Sequence, residues 1–133
     1  MKKWRFLRCV SLDLRYRGRH ARIDRVVVDT GCTHTILHRT KVHAAGLSLA
    51  RPHRIRHVVG IGGDEISAVH IFEEVAVEDV LAIAPFLVDV GPAHYGRDLG
   101  GLLGMDFLVR AGAVVNLVDW TIEFAAGAVQ SPR

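Results

Sequence analysis

Cysteine is scarce: Cys9 and Cys32 are the only two in 133 residues. Two thiols cannot build a disulfide framework and suit a reducing cytoplasm, so the fold has to rest on a packed core. No apolar run approaches the roughly 18 uncharged residues of a membrane span. The basic start Met1-Lys2-Lys3-Trp4-Arg5-Phe6-Leu7-Arg8 leads into no apolar h-region, which argues against a signal peptide. Aromatics make up 7% of the chain, and only Trp4, Phe6 and Tyr16 fall among the N-terminal arginines. A surface that stacks nucleic-acid bases needs more of them. Internal repeats, low-complexity stretches and linkers are also absent. The expectation is one cytoplasmic domain over 1–133, with a core over about 10–124 and a frayed tail at 127–133.

Half the residues are hydrophobic and 23% are charged, enough to bury a real core and exclude overall disorder. Charge is uneven along the chain. Residues 1–25 carry nine basic side chains against Asp13 and Asp24, a net +7, and the rest carries −4. Such an arm is able to neutralise phosphates. Its arginines alternate with apolar residues, however, which favours a solvated strand face.

Strand signals dominate. Val10, Leu12, Leu14 and Tyr16 alternate with Ser11, Asp13, Arg15 and Arg17, the period of a half-buried strand. Gly18-Arg19 reads as the hairpin turn, and the return strand runs through Ile23 into Val26-Val27-Val28, β-branched and buried on both faces. Thr35-Ile36-Leu37 reads as extended, and Thr40 as the cap of a short helix through Ala45, with Gly46 beyond it. Three β-rich runs follow: Ile55 to Ile61, Ile66 to Val77 and Leu81 to Val90. A second short helix ends near Gly112. Val114 to Leu117 and Thr121 to Phe124 form a last strand pair. The fold class is mainly β, a closed or partly closed barrel with one or two short helices.

Three segments carry chemistry. Asp29-Thr30-Gly31 ends the apolar strand, where a carboxylate leaves a rigid support at a turn. Gly60-Ile61-Gly62-Gly63 sits between two strand runs, and Leu102-Leu103-Gly104-Met105-Asp106 opens the second helix. In this order, over roughly Val10 to Phe124, they resemble the retroviral-type (retropepsin-like) aspartic proteases. The ending Val115-Asn116-Leu117-Val118-Asp119-Trp120 is similar to that of bacterial cellular members. The resemblance implies an acid-protease barrel, one domain per subunit, that hydrolyses peptide bonds with an activated water, without metal or cofactor.

That chemistry needs two facing carboxylates sharing a proton. No other aspartate here is followed by Thr-Gly or Ser-Gly. The second carboxylate must then be Asp29 of another copy, which implies a homodimer with the site on its two-fold axis. Further roles are implied by the resemblance alone. Thr30 bonds across the axis, and Gly31 completes the catalytic turn. Gly60, Ile61, Gly62 and Gly63 form a flap over the peptide, which Thr33 also contacts. Leu102, Leu103 and Gly104 support the loop, and Asp106 braces the structure. Thr33 stands where retroviral members carry an acid that grips substrate backbone, and Cys32 where they carry Ala or Ser.

Other patterns are set aside. Cys32 and His34 lack the orienting group and oxyanion site of a thiol enzyme. The i, i+4 pair His53 and His57 falls on a strand, where it does not converge on a metal. Gly60–Gly63 has no following helix or lysine to hold phosphate. Glu73, Glu74, Glu78 and Asp79 read as a solvated strand edge. Two alternatives to the active protease stay open: a catalytically weak or inactive peptide-binding scaffold on the same fold, and a nucleic-acid-binding barrel using the basic arm.

Overall fold

The computed structural model describes residues 2–5, 9–60, 63–78, 80–92 and 98–125. Among them the chain forms strands β1 (Lys2–Arg5), β2 (Cys9–Tyr16), β3 (Arg19–Val28) and β4 (Ile36–His38), then helix α1 (Arg39–Ala44). Next come β5 (Arg54–Gly60), β6 (Gly63–Phe72), β7 (Glu74–Val77), β8 (Leu81–Ile83), β9 (Phe86–Gly91) and β10 (Gly101–Leu103). Helix α2 (Met105–Arg110), β11 (Val114–Asn116) and β12 (Thr121–Phe124) close the order. Nine strands make one sheet in the order β5-β6-β9-β4-β10-β3-β2-β7-β8, and β1-β12-β11 make a second. The architecture is mainly β, as the patterning predicts. The large sheet keeps two edges, β5 and β8, which corresponds to the partly closed form of the expected barrel.

The period of two in β2 is realised directly. Val10, Leu12, Leu14 and Tyr16 face inward with at most 5% exposure, and the intervening residues are half-buried. They join Val75, Val77, Ile83, Val88, Leu103 and Phe107 in one core, where Tyr16 also packs on Phe72 with ring centres 5.0 Å apart. Val26 is fully buried, whereas Val27 and Val28 are only partly so, which corrects the expectation of two dry faces. The β2–β3 register shifts where Arg25 takes φ +59°, and beyond this bulge Val26 and Val27 still pair with β2 while Val26–Val28 also run parallel to β10.

Several boundaries differ from the sequence reading. The β2–β3 turn is Arg17-Gly18, both at positive φ, one residue earlier than expected. This primed turn matches the twist of its strands. Helix α1 is capped by His38, whose Nδ1 accepts from the Thr40 amide at 3.2 Å, and not by the Thr40 side chain. The run Ile66 to Val77 breaks at Glu73, and the run Leu81 to Val90 breaks at Ala84-Pro85. The expected frayed tail and Asp79 lie outside the described residues.

The acidic group corrects another expectation. β7 is an inner strand, and Glu74 on it, with Glu73 and Glu78 at its two ends, meets the arginines of the basic arm. Arg15 contacts Glu73 at 3.8 Å and Glu74 at 3.5 Å. Arg22 contacts Asp13, Asp24 and Glu78 at 3.2–3.5 Å. The imbalance along the sequence is partly closed in space, which leaves less free charge for phosphates than the count of arginines suggests.

Candidate active site

β10 builds the site by threading between β3, to which it runs parallel, and β4, to which it runs antiparallel. Gly101 permits the passage, since a Cβ there would collide with the Ile36 carbonyl. The register brings the Leu103 carbonyl to the Asp29 amide at 2.9 Å, directly after β3 ends. Asp29 therefore leaves a partly buried strand, paired on both sides at Val26 and Val27, into a tight turn, closed by Cys32 N–H donating to the Asp29 carbonyl at 3.2 Å. The Gly31 amide donates to Asp29 Oδ1 at 2.9 Å. Gly31 is not at positive φ, and a Cβ on it would stand 3.3 Å from that same oxygen. Its smallness keeps the carboxylate uncrowded. Asp29 is half-buried, and Thr30, Gly31 and Thr33 are exposed beside it.

The next part of the loop seals the start of α2. A helix N-terminus leaves backbone N–H groups without intrahelical partners, and Gly104 has no side chain to cap them. The loop supplies the acceptors: Met105 N–H donates to the Cys32 carbonyl at 2.8 Å and Asp106 N–H to the Thr33 carbonyl at 3.1 Å. Gly104 lies so close to this loop that a Cβ would fall 2.7 Å from His34 C and 2.8 Å from the Cys32 carbonyl oxygen. Asp106 completes the clamp. Its carboxylate accepts from the Thr35 amide at 3.0 Å, the Thr35 hydroxyl at 2.7 Å and the Phe107 amide at 2.8 Å. Thr35, fully buried, also accepts from the Gly104 amide through Oγ1 at 3.1 Å.

Asp29, Thr30, Gly31 and Thr33 thus share one loop, supported by Leu102, Leu103, Gly104 and Asp106. Gly60 and Gly63 pair at the end of the β5–β6 hairpin, and Gly63 takes φ +103°. The tip residues Ile61 and Gly62 lie outside the described residues. Cys32 and His34 do not form a nucleophile–base pair. The thiol donates to the His34 carbonyl at 2.9 Å, while the His34 ring turns to Arg56. Burial pushes the Cys32 thiol up, against its bond to that carbonyl, so thiolate chemistry is disfavoured.

Two features escape the sequence reading. Thr35, seen there only as part of an extended run, is the node between loop, α2 and β9. Asp89, 2% exposed on β9, pairs with Arg56 and Ser67. An acid inside the apolar run Phe86–Val90 is the signal that points to it, because a buried carboxylate needs partners. Next to Thr30, α2 and the segment after it form an apolar hollow of about 390 Å³, lined by Met105, Leu108, Val109, Ala113 and Val115.

Among the described residues no group of three or more His, Cys, Asp or Glu side chains is placed to hold a metal ion, and no helix is long and apolar enough to cross a membrane. A family model described as aspartyl protease, of the retropepsin-like clan, matches residues 12–107, from β2 into α2. No curated protein matches the chain.

Proposed function

From membership of the aspartyl protease family, to which this chain belongs, we propose that it is a homodimeric aspartic endopeptidase with Asp29 and its counterpart in a second copy as the catalytic pair. The observation that carries this reading is the held carboxylate. Asp29 has one oxygen fixed by the Gly31 amide, and it stands in a turn anchored on β10 and α2. A general base must be oriented before it can act, and such anchoring removes the freedom that would cost rate.

In the proposed dimer the two carboxylates share one proton, since two like charges in contact cannot both ionise. The ionised member takes a proton from water, which attacks the peptide carbonyl. The protonated member donates to the developing oxyanion, so no covalent intermediate forms. Thr30, exposed beside the apolar hollow on α2, is the residue proposed to bond across the axis. The hollow supports the reading as an apolar surface that a second chain would cover. The β5–β6 hairpin would act as the flap, and Thr33 would contact the peptide. A cytoplasmic location agrees with the scarcity of cysteine.

The test is cleavage of an extended hydrophobic peptide between mildly acidic and neutral pH. Asp29→Asn abolishes it, and pepstatin-type inhibitors compete with the peptide. Cleavage that survives Asp29→Asn overturns the assignment. A correctly folded wild-type dimer that binds the peptide without cutting it supports the scaffold reading instead.

A further inference from the structure

Asp89 is a carboxylate inside the sheet, and burial at 2% exposure demands compensation. Both strands of the β5–β6 hairpin provide it. Ser67 of β6 donates its hydroxyl to Asp89 Oδ2 at 2.8 Å, and Arg56 of β5 brings Nε within 2.9 Å of the same oxygen. The Arg56 Nε–H forms no hydrogen bond, so this second contact is Coulombic. The far end of the guanidinium crosses to the Asp29 loop, where Nη1 stands 3.0 Å from His34 Nε2. A guanidinium has donors only. His34 Nε2 is therefore the acceptor in this contact. Asp89 is tied to the same loop through its backbone, whose N–H donates to the Thr35 carbonyl at 3.0 Å.

We infer that Arg56, held in place by Asp89, is a positioning residue that docks the outer part of the β5–β6 hairpin onto the Asp29 loop through His34. The inner part is held by the sheet itself, since β6 pairs with β9 over Ala68–Phe72. The contact stands apart from the peptidase reading. Its consequence for turnover rests on that reading, in which the hairpin closes over the peptide.

Hydrogen exchange of the β5 and β6 backbone amides tests this without needing activity, so an inactive enzyme and a missing latch give different results. Protection is compared between wild type and variants at one pH. His34→Phe, which removes the acceptor, is expected to lower hairpin protection about five- to tenfold, the factor one net hydrogen bond represents. Amides of β2 serve as the reference for global unfolding. His34→Gln restores an acceptor and holds protection near the wild-type level, whereas Arg56→Met combined with Asp89→Leu, which leaves no buried charge unpaired, lowers it as His34→Phe does. Wild-type protection in His34→Phe, or no recovery in His34→Gln, overturns the inference.

Discussion

Asp106 directs its carboxylate back into its own chain, receiving the Thr35 amide and hydroxyl and the Phe107 amide. Charge-assisted bonds of this kind are the stronger ones. Asp106→Ala leaves the Thr35 donors unmet and is expected to cost about 3 kcal/mol in urea unfolding, with Asp106→Asn losing less. Gly104→Ala should be as damaging, because its Cβ would meet backbone atoms at 2.7–2.8 Å that have no room to yield. His70 sets a pH dependence. Burial, with Arg39 adding to it, holds its imidazole below the ordinary value. Just below the ordinary histidine value the unfolded chain therefore binds more protons than the folded one, and stability falls on acidification through that window. His70→Phe is expected to flatten this slope in thermal melts across pH. The triplet at Asp29 was legible because its chemistry is contiguous. Thr35 and Asp89 were not, since their meaning lies in partners on α2, β5 and β6 that no local pattern reveals.

At the scale of elements, periodicity reported the strands well where one face is wet. β2 alternates in sequence and in burial alike. It reported poorly where long apolar runs contain a corner. The breaks at Glu73 and at Ala84-Pro85 divide runs whose hydrophobicity is continuous. The turn at Arg17-Gly18 slipped by one residue because arginine is a poor marker of positive φ. Asn tolerates that conformation better, so Arg17→Asn is expected to raise stability by about 0.5 kcal/mol, read as a higher melting temperature. The acids facing the arginine arm were legible as charges but not as partners, because pairing across β2, β3 and β7 is long-range. The Ser11 amide donates to Glu78 at 2.8 Å, and Arg22 adds a contact at 3.3 Å.

For the whole molecule, the fold class followed from the many short strands and glycine turns, and the family from three ordered segments. Assembly is the part that one chain's sequence approaches only through chemistry: a proteolytic site of this type needs two carboxylates, and each copy brings one triplet. Val109 is 67% exposed beside Thr30 and the apolar hollow. Val109→Asp is expected to leave the melting temperature of the monomer intact while shifting sedimentation toward monomer and making activity fall steeply on dilution. The most direct measurement mixes wild type with Asp29→Asn in equal amounts, allows subunits to exchange, and reads cleavage against the same total of wild type. A site shared between two copies predicts about one quarter of the activity, since only dimers with both aspartates cut. About one half, with exchange demonstrated, would mean that each chain works alone and would contradict the shared site.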